Sequence, residues 1–503
     1  MINKNRGIIL FSIVIITSCG ILKNSTKIKK DKNSVKYAST ITSEELKQHL
    51  SVIASDEYEG RETGRKGQKM TADYLKNEFI KDGVKPGNNG DYFQYFNLVQ
   101  TNKPIAGLKI HGNTYSYMKD FYFFQSYANF SNFTTDASNI YPIANGIIEG
   151  ERNDYGDKDY KGKTLIINID KQENFDEWTW RKKLELAKEK GAERVFFTSS
   201  KYESNLERLT HFLEGSTMKL ASATSKKSES IPFFFISSKL ERELLKETEV
   251  TKNQSDFNKV YFAMISKNEE ITSTNVLGFI EGTDPELKNE IIVITAHYDH
   301  LGIKDGLVYN GADDDGTGTV ALLEIAEAFQ KAKNDGNGVK RSILIMPVSG
   351  EEKGLLGSSY YADNPIYPLA NTVVDLNIDM IGRLDENHTK PDYVYLIGAD
   401  KISQELHDVS AATNKTYIGL NLDYTFNDEN DPNRFYYRSD HYNFARKGIP
   451  VIFYFSGVHE DYHKATDEID KIMFDKVETI TRLVFHTAWE IANKPKRLEI
   501  DKK

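Results

Sequence analysis

Residues 291–300 read Ile-Ile-Val-Ile-Thr-Ala-His-Tyr-Asp-His, an apolar run that ends in titratable side chains. The β-branched residues favour a strand. Because apolar residues follow one another without alternating with polar ones, the strand is expected to be buried on both faces. Such strands are typical of parallel sheets that helices cover on both sides.

Three later runs have the same character, namely Ile343–Val348, Val373–Ile378 and Val451–Phe455. Helical stretches lie between them, notably 319–331 and 402–412. Strands alternating with helices predict an α/β fold with a mostly parallel mixed sheet flanked by helices. Ligands bind beyond the carboxyl ends of the strands in such sheets, so the polar residues after each run should meet at one rim.

Length and composition indicate more than one folded unit. The chain has 503 residues, which is too long for one hydrophobic core. Its composition, 39% hydrophobic and 28% charged, is typical of folded proteins. We expect a larger domain from 41–100 and 271–503, with a smaller domain inserted at 101–270. The net charge of −9 gives little support to a nucleic-acid partner.

The N-terminus has the features of an export signal. Lys4 and Arg6 precede an apolar run over 8–16, which is shorter than the roughly 20 residues that span a bilayer. Residues 1–18 therefore read as a signal peptide, and Cys19, the single cysteine, sits where a bacterial lipoprotein signal places the lipidated residue. An uncleaved anchor or a plain signal with a chance cysteine are the alternatives.

A lipidated Cys19 would place the protein in the bacterial cell envelope, facing outside the cytoplasm. The lipid would be its contact with the membrane. The polar residues that follow predict a flexible tether over 19–40.

Five short segments follow the predicted strands and contain the candidate site residues: His297-Tyr298-Asp299, Gly311 to Gly316, Ser349 to Glu352, Asn377 to Met380, and Tyr462-His463. Carboxylates that meet at one rim repel each other and cost several kcal/mol each to bury. No lysine or arginine recurs in these segments. Histidine and carboxylate donors without thiolates suit zinc, and cobalt or manganese less well. Two zinc ions would balance the four negative charges of Asp314, Glu351, Glu352 and Asp379.

Together these segments resemble the dizinc aminopeptidase family of peptidase clan MH. That clan includes secreted bacterial aminopeptidases, glutamate carboxypeptidase II and, without peptidase activity, the transferrin receptor. The resemblance covers about 275–490 strongly, and 54–61 resembles the family's opening segment. The middle region, with Tyr160-Lys161-Gly162-Lys163, resembles an inserted protease-associated domain.

The resemblance implies two zinc ions per chain. His297 and Asp379 would hold one ion, and Glu352 and His463 the other. Asp314 would bridge the two ions together with a water molecule.

The resemblance also implies the catalytic roles. Glu351 would carry the proton from the water to the leaving amine, and Tyr462 would donate a hydrogen bond to the oxyanion. Asp299 would orient the imidazole of His297. The family often has a cis peptide after the bridging aspartate, here between Asp314 and Asp315.

The implied activity is hydrolysis of the N-terminal peptide bond of peptides with a free N-terminus. A carboxypeptidase, a glutaminyl cyclase of the same fold and a non-catalytic receptor-like protein are the alternatives. Among nearby residues, His300 and His441 match no ligand position and are assigned structural roles. Ser439 is expected to cap a helix and support the site, and Asp467 to support a ligand histidine or cap the next helix. The acidic loop 427–431 is expected to be solvated, with calcium binding as the alternative.

Overall fold

An eight-stranded mixed sheet forms the centre of the larger domain in the computed structural model, which describes residues 27–124, 130–170, 179–224, 230–246 and 257–502. Its strands are β1 (Lys85–Pro86), β2 (Gly278–Ile280), β3 (Ile291–His297), β4 (Ser342–Val348), β5 (Thr372–Ile378), β6 (Tyr393–Ile397), β7 (Asn421–Asp423) and β8 (Val451–Phe455). Their spatial order is β1-β2-β4-β3-β5-β8-β6-β7. The parallel pairs are β4-β3, β3-β5, β5-β8 and β6-β7. The antiparallel pairs are β1-β2, β2-β4 and β8-β6. The predicted mostly parallel mixed sheet is confirmed.

Helices cover both faces of this sheet. They are α1 (Lys32–Ala38), α2 (Ser43–Ile53), α3 (Lys66–Asp82), α4 (Gly318–Asn334), α5 (Leu356–Asp363), α6 (Gln404–Tyr417), α7 (His441–Ala445) and α8 (Phe474–Asn493). Ile292 and Ile294 of β3 belong to the core that contains α4 and α8, whereas Ile291 and Val293 belong to the core that contains α5 and α7. Successive residues of a strand point to opposite faces, so burial on both faces explains the continuous apolar run.

The first described residues pack against the larger domain as helix α1. The side chain of Asp31 caps the helix by accepting hydrogen bonds from two main-chain amides. Tyr37 is fully buried and stacks on Trp489 of α8 with ring centroids 6.0 Å apart. The prediction of a flexible tether over 19–40 is therefore wrong from Lys32 onward, because this aromatic packing anchors a segment whose composition is otherwise polar.

The predicted signal peptide and Cys19 lie outside the described residues. Within the described part of the chain, no helix combines the length and the apolar character needed to cross a membrane. The lipid anchor therefore stays a prediction.

One antiparallel ladder leads into and out of the middle region. Strand Phe93–Thr101 pairs along its whole length with strand Asn268–Val276. A third strand, Thr217–Leu220, comes from the middle of the chain and pairs with the other edge of Phe93–Thr101. The division between the larger domain and an insert over 101–270 stays a prediction, and the ladder shows where the chain crosses between them.

The middle region has two further sheets. One contains Phe121–Tyr122, Ile140–Pro142, Thr164–Asn168, Arg194–Thr198 and Phe233–Ile236; the other contains Ile105–Ile110, Asn113–Ser116, Phe133–Asp136 and Lys259–Ile265. Its helices are Trp180–Glu189, Tyr202–Glu214, Ala221–Thr224 and Ser238–Leu244. Phe233 and Phe235 face one apolar core and Phe234 the other, so this strand is buried between them. Whether this region is a protease-associated domain stays a prediction.

The described residues also form two short hairpins. In one, Ile148–Glu149 pairs with Arg152–Asn153, and in the other, Gly302–Lys304 pairs with Leu307–Tyr309.

Glu324 on α4 makes the stability of the fold depend on pH. Its side chain is buried, and desolvation together with Glu45 and Glu327 raises its pKa to about 8. Because the folded pKa lies above the unfolded value, the stabilising contribution is fully present below about pH 4.5 and is lost as the pH rises through 8. We expect Glu324→Gln to be more stable than the wild type at pH 8.5 by at least about 1 kcal/mol, with a smaller difference at pH 5.5.

Urea unfolding of both proteins at the two pH values measures this difference. Glu44→Gln, on the exposed side of α2, controls for the removal of one negative charge. An equal difference between Glu324→Gln and the wild type at both pH values would contradict the assignment.

Candidate metal centre

The carboxyl ends of β3, β4, β5 and β8 bring the predicted site residues together. His297 is the last residue of β3, and Asp379 follows β5 directly. Glu351 and Glu352 lie in the loop after β4, and His463 lies in the loop after β8. Asp314 comes from an irregular turn over 312–317 that leads into α4. Parallel strands end at one edge, which is why residues distant in sequence meet here.

His297, Asp314 and Asp379 form the first group of donors. The Nε2 atom of His297 lies 3.3 Å from Oδ1 of Asp314 and 3.6 Å from Oδ1 of Asp379. Ser439 donates a hydrogen bond to the other oxygen of Asp379 at 2.8 Å, whereas Asp440 rather than Ser439 is the N-cap residue of α7, so the expected helix cap at Ser439 is wrong. One atom from each of the three residues therefore faces a common point.

Asp299 orients His297 through its main chain. The Nδ1 atom of His297 donates to the carbonyl oxygen of Asp299 at 3.0 Å, which leaves Nε2 facing Asp314 and Asp379. The Asp299 carboxylate instead accepts hydrogen bonds from the hydroxyl of Thr63 at 2.5 Å and from the amide of Glu351 at 3.2 Å. The expected orienting residue is in place, but its side chain holds the Glu351 loop.

Asp314, Glu352 and His463 form the second group. The Nε2 atom of His463 lies 3.1 Å from Oδ2 of Asp314 and 3.3 Å from Oε2 of Glu352. Asp314 thus directs one oxygen to each group. His300 also reaches this group, because its Nδ1 lies 2.8 Å from Oε1 of Glu352. A structural role is expected for His300 from the sequence. Its position directly after the His297-Tyr298-Asp299 segment is the sequence feature that could have indicated this contact with Glu352.

The donor atoms of the second group are placed better for binding a cation than for hydrogen bonding with one another. Oδ2 of Asp314, Oε1 of Glu352 and both ring nitrogens of His300 are buried without a hydrogen-bond partner. Nearby Arg61 is fully buried, but its guanidinium donates to main-chain carbonyls, among them those of Tyr298 and Gly311. Unpaired buried acceptors are costly. Nitrogen and oxygen donors at these spacings match a divalent metal such as zinc.

The shifted pKa values of the two histidines show how strongly negative their surroundings are. Burial alone would lower the pKa of His463, but contacts with Asp314 and Glu352 raise it to about 10. For His297, burial is likewise outweighed by Glu351 and Asp379, and its pKa lies well above the usual value. The carboxylates therefore draw positive charge onto both histidines, which is the electrostatic demand that metal ions would meet.

Glu351 and Tyr462 face the same cleft without belonging to either group. Oε2 of Glu351 lies 3.9 Å from Nε2 of His297, and burial followed by the charges of Glu352 and Asp379 raises the pKa of Glu351 well above its usual value, against the opposing effect of His297. The ring of Tyr462 stacks on that of His463 at 3.9 Å.

The cleft is lined by His297, Asp314, Glu351, Asp379, Met380, Phe435, Arg438, Phe453, Phe455, Val458, Tyr462 and His463.

Two aspartates hold the turn that carries Asp314. The carboxylate of Asp315 accepts from the amides of His297, Met380 and Gly318. Asp467 accepts from the amides of Asp313 and Asp314 at 3.1–3.2 Å. The expectation that Asp467 supports a ligand histidine or caps a helix is thus corrected. The peptide bond between Asp314 and Asp315 is cis, as the resemblance implied.

Arg383 and the acidic loop 427–431 are not among the residues that line the cleft. Arg383 donates to Asp461 at 3.0 Å. In the loop 427–431, Asp428 and Asp431 accept hydrogen bonds from nearby main-chain amides. Within the described residues, the groups of at least three close donors that could hold a metal ion are His297, Asp314 and Asp379, and His300, Asp314 and Glu352.

Parts of the chain are similar in sequence to known peptidases. Residues 275–488 match the model of peptidase family M28. Aminopeptidase YwaD of Bacillus subtilis is 29% identical over 241 residues, which cover 46% of this chain and 48% of that protein. Aminopeptidase Y of Saccharomyces cerevisiae is 27% identical over 240 residues, covering 45% of this chain and 40% of the yeast protein. A probable zinc metalloprotease of Pyrenophora teres f. teres is 27% identical over 268 residues, covering 45% and 53%.

The chain spans about half the length of these curated relatives or less. Among solved structures, an aminopeptidase from Aneurinibacillus sp. strain AM-1 superposes with a TM-score of 0.56 at 19% identity, over 93% of this chain and 98% of that chain. This likeness confirms the fold. Residues 275–488, which are similar to peptidase family M28, carry every predicted metal-binding residue.

Proposed function

We propose that this protein is a two-zinc aminopeptidase that hydrolyses the N-terminal peptide bond of peptides. The observation that carries the proposal is the pair of donor groups that share Asp314 beside a cleft containing Glu351. The aminopeptidase names of the relatives support it.

The residues assigned to the two ions are those of the two donor groups. His297, Asp314 and Asp379 would hold the first zinc, and Asp314, Glu352 and His463 the second. Zinc at these positions would supply Lewis acidity toward the scissile carbonyl and the attacking water.

Glu351 is proposed to accept a proton from the attacking water and pass it to the leaving amine. Its main-chain amide donates to Asp299, which fixes the loop relative to β3. Tyr462 is proposed to donate a hydrogen bond to the oxyanion. Burial and the nearby Asp314 and Glu352 raise the pKa of Tyr462, so its hydroxyl keeps the proton that it must donate.

The cleft also suggests a substrate preference. Phe435, Phe453 and Phe455 line it, which suits an apolar side chain at the peptide N-terminus. Arg438 lines it as well and could receive a substrate carboxylate, which keeps a carboxypeptidase as the second candidate. Two complete donor groups disfavour a single-zinc glutaminyl cyclase, and the retained Glu351 disfavours a non-catalytic receptor.

A matched peptide panel distinguishes the two candidates. We expect cleavage of leucyl and phenylalanyl peptides with a free N-terminus and an amidated C-terminus, and no cleavage when the N-terminus is acetylated. Product release is measured by mass spectrometry. A carboxypeptidase would show the reverse pattern, and cleavage of neither set by zinc-loaded protein would contradict the proposed function.

The neighbours Glu351 and Glu352 should respond differently to removal of their charge. Glu351→Gln should retain both zinc ions while kcat falls at least about 10²-fold, because the proton acceptor is lost. Glu352→Gln should lose one zinc ion and regain part of its activity in excess zinc. Metal analysis and steady-state kinetics at one pH measure both effects.

Glu386→Gln, at an exposed position outside the site, is the matched control. Near-normal turnover in Glu351→Gln would remove the proposed base.

We further propose that Cys19 is lipidated and anchors the protein in the bacterial cell envelope, outside the cytoplasm. The support is the short apolar run that ends at the single cysteine. Cys19→Ser should move the protein from the membrane fraction to the soluble fraction on cell fractionation. A variant that stays with membranes after a high-salt wash would exclude lipid anchoring through this residue.

A further inference from the structure

His300 lies directly after the segment that carries His297, and the fold holds its ring against the second donor group. The residue is fully buried, and its main-chain amide donates to the carbonyl of Arg61 at 3.1 Å. Gly311 packs against the ring so closely that a Cβ at Gly311 would lie 2.5 Å from it. The imidazole is therefore fixed in position.

The contacts of the ring are unusual for a structural histidine. Nδ1 of His300 lies 2.8 Å from Oε1 of Glu352 and 3.8 Å from Oδ2 of Asp314. Even so, neither ring nitrogen makes a hydrogen bond of acceptable geometry, and the same is true of those two carboxylate oxygens. Buried polar atoms are rarely left without a partner. Nitrogen and oxygen atoms that lie this close without a hydrogen bond between them are arranged as donors to a common cation.

We propose that His300 binds the second metal ion through Nδ1. This inference rests on the proposed two-metal site and adds a fourth protein donor to the second ion, besides Asp314, Glu352 and His463. The first ion keeps His297, Asp314 and Asp379.

The spacing of the four donors supports this arrangement. The distances of His300 and His463 nitrogens to the oxygens of Asp314 and Glu352 range from 2.8 to 3.8 Å. Ligands at about 2.0–2.1 Å from a tetrahedral zinc ion lie roughly 3.3 Å apart. His300, Asp314 and Glu352 each offer a donor atom within 4.8 Å of the other two, and His463 contacts both carboxylates.

A fourth protein donor makes the two ions unequal. Structural zinc sites have four protein ligands, whereas catalytic sites keep one position open. The second ion should accordingly be held more tightly, and the first should be the more exchangeable one.

The experiment replaces zinc by cobalt(II) in the full chain and counts imidazole ligands by paramagnetic proton NMR. The wild type should bind two cobalt ions and show contact-shifted ring signals from three histidines. His300→Ala should show signals from two, and the dissociation constant of its tightly held ion should rise at least about 10-fold in a chelator titration. His300→Gln, which keeps a polar side chain without an imidazole, should lose the same set of signals.

His486→Ala is the matched control for loss of a buried imidazole, since His486 contacts Ser34 on α1 rather than the metal centre. It should keep all three sets of signals. Two bound ions with unchanged contact-shifted signals in His300→Ala would overturn the inference and leave the two-metal site intact. A wild type that binds no metal would instead contradict the proposed function.

Discussion

Asp314 must present one carboxylate oxygen to each of two donor groups, and much of the surrounding structure fixes the turn that makes this possible. Asp467 holds the amides of this turn from the loop after β8, and Asp315 ties it to the ends of β3 and β5. Three chain segments therefore agree on the position of one side chain. Hydrogen bonds that main-chain amides donate to carboxylates are strong and directional, so these contacts hold the turn in place.

Arg61 extends this framework to the N-terminal part of the larger domain. Its buried guanidinium donates to the carbonyls of Ile53, Tyr298, Asn310 and Gly311. It thereby joins the end of α2 to the residue after His297 and to the start of the Asp314 turn. Burial lowers the pKa of Arg61, and the carboxylates of Asp467 and Asp314 act in the opposite direction. A positive charge beside the site also offsets part of the repulsion among its acids.

The sheet and the position of the site could be predicted from the sequence because both follow from apolar runs. The predicted run Ile343–Val348 differs by one residue from strand Ser342–Val348, and Val451–Phe455 is identical to β8. The packing of α1 could not be predicted, since Tyr37 depends on Trp489 in the last helix. The contacts of His300 and Asp467 could not be predicted for a related reason. Their roles rest on contacts with residues that are 52 and 153–154 positions away, and local patterns carry no record of such contacts.

The ladder between Phe93–Thr101 and Asn268–Val276 has an outer edge that a strand of the middle region covers. Strand Thr217–Leu220 occupies the outer edge of Phe93–Thr101, and its Met218 packs with Phe96 and Leu98. Without the middle region this edge would present unpaired main-chain groups and an apolar surface to solvent. Such edges promote strand addition between molecules. Strand Thr217–Leu220 of the middle region thus covers an edge of the ladder that would otherwise be open to such pairing.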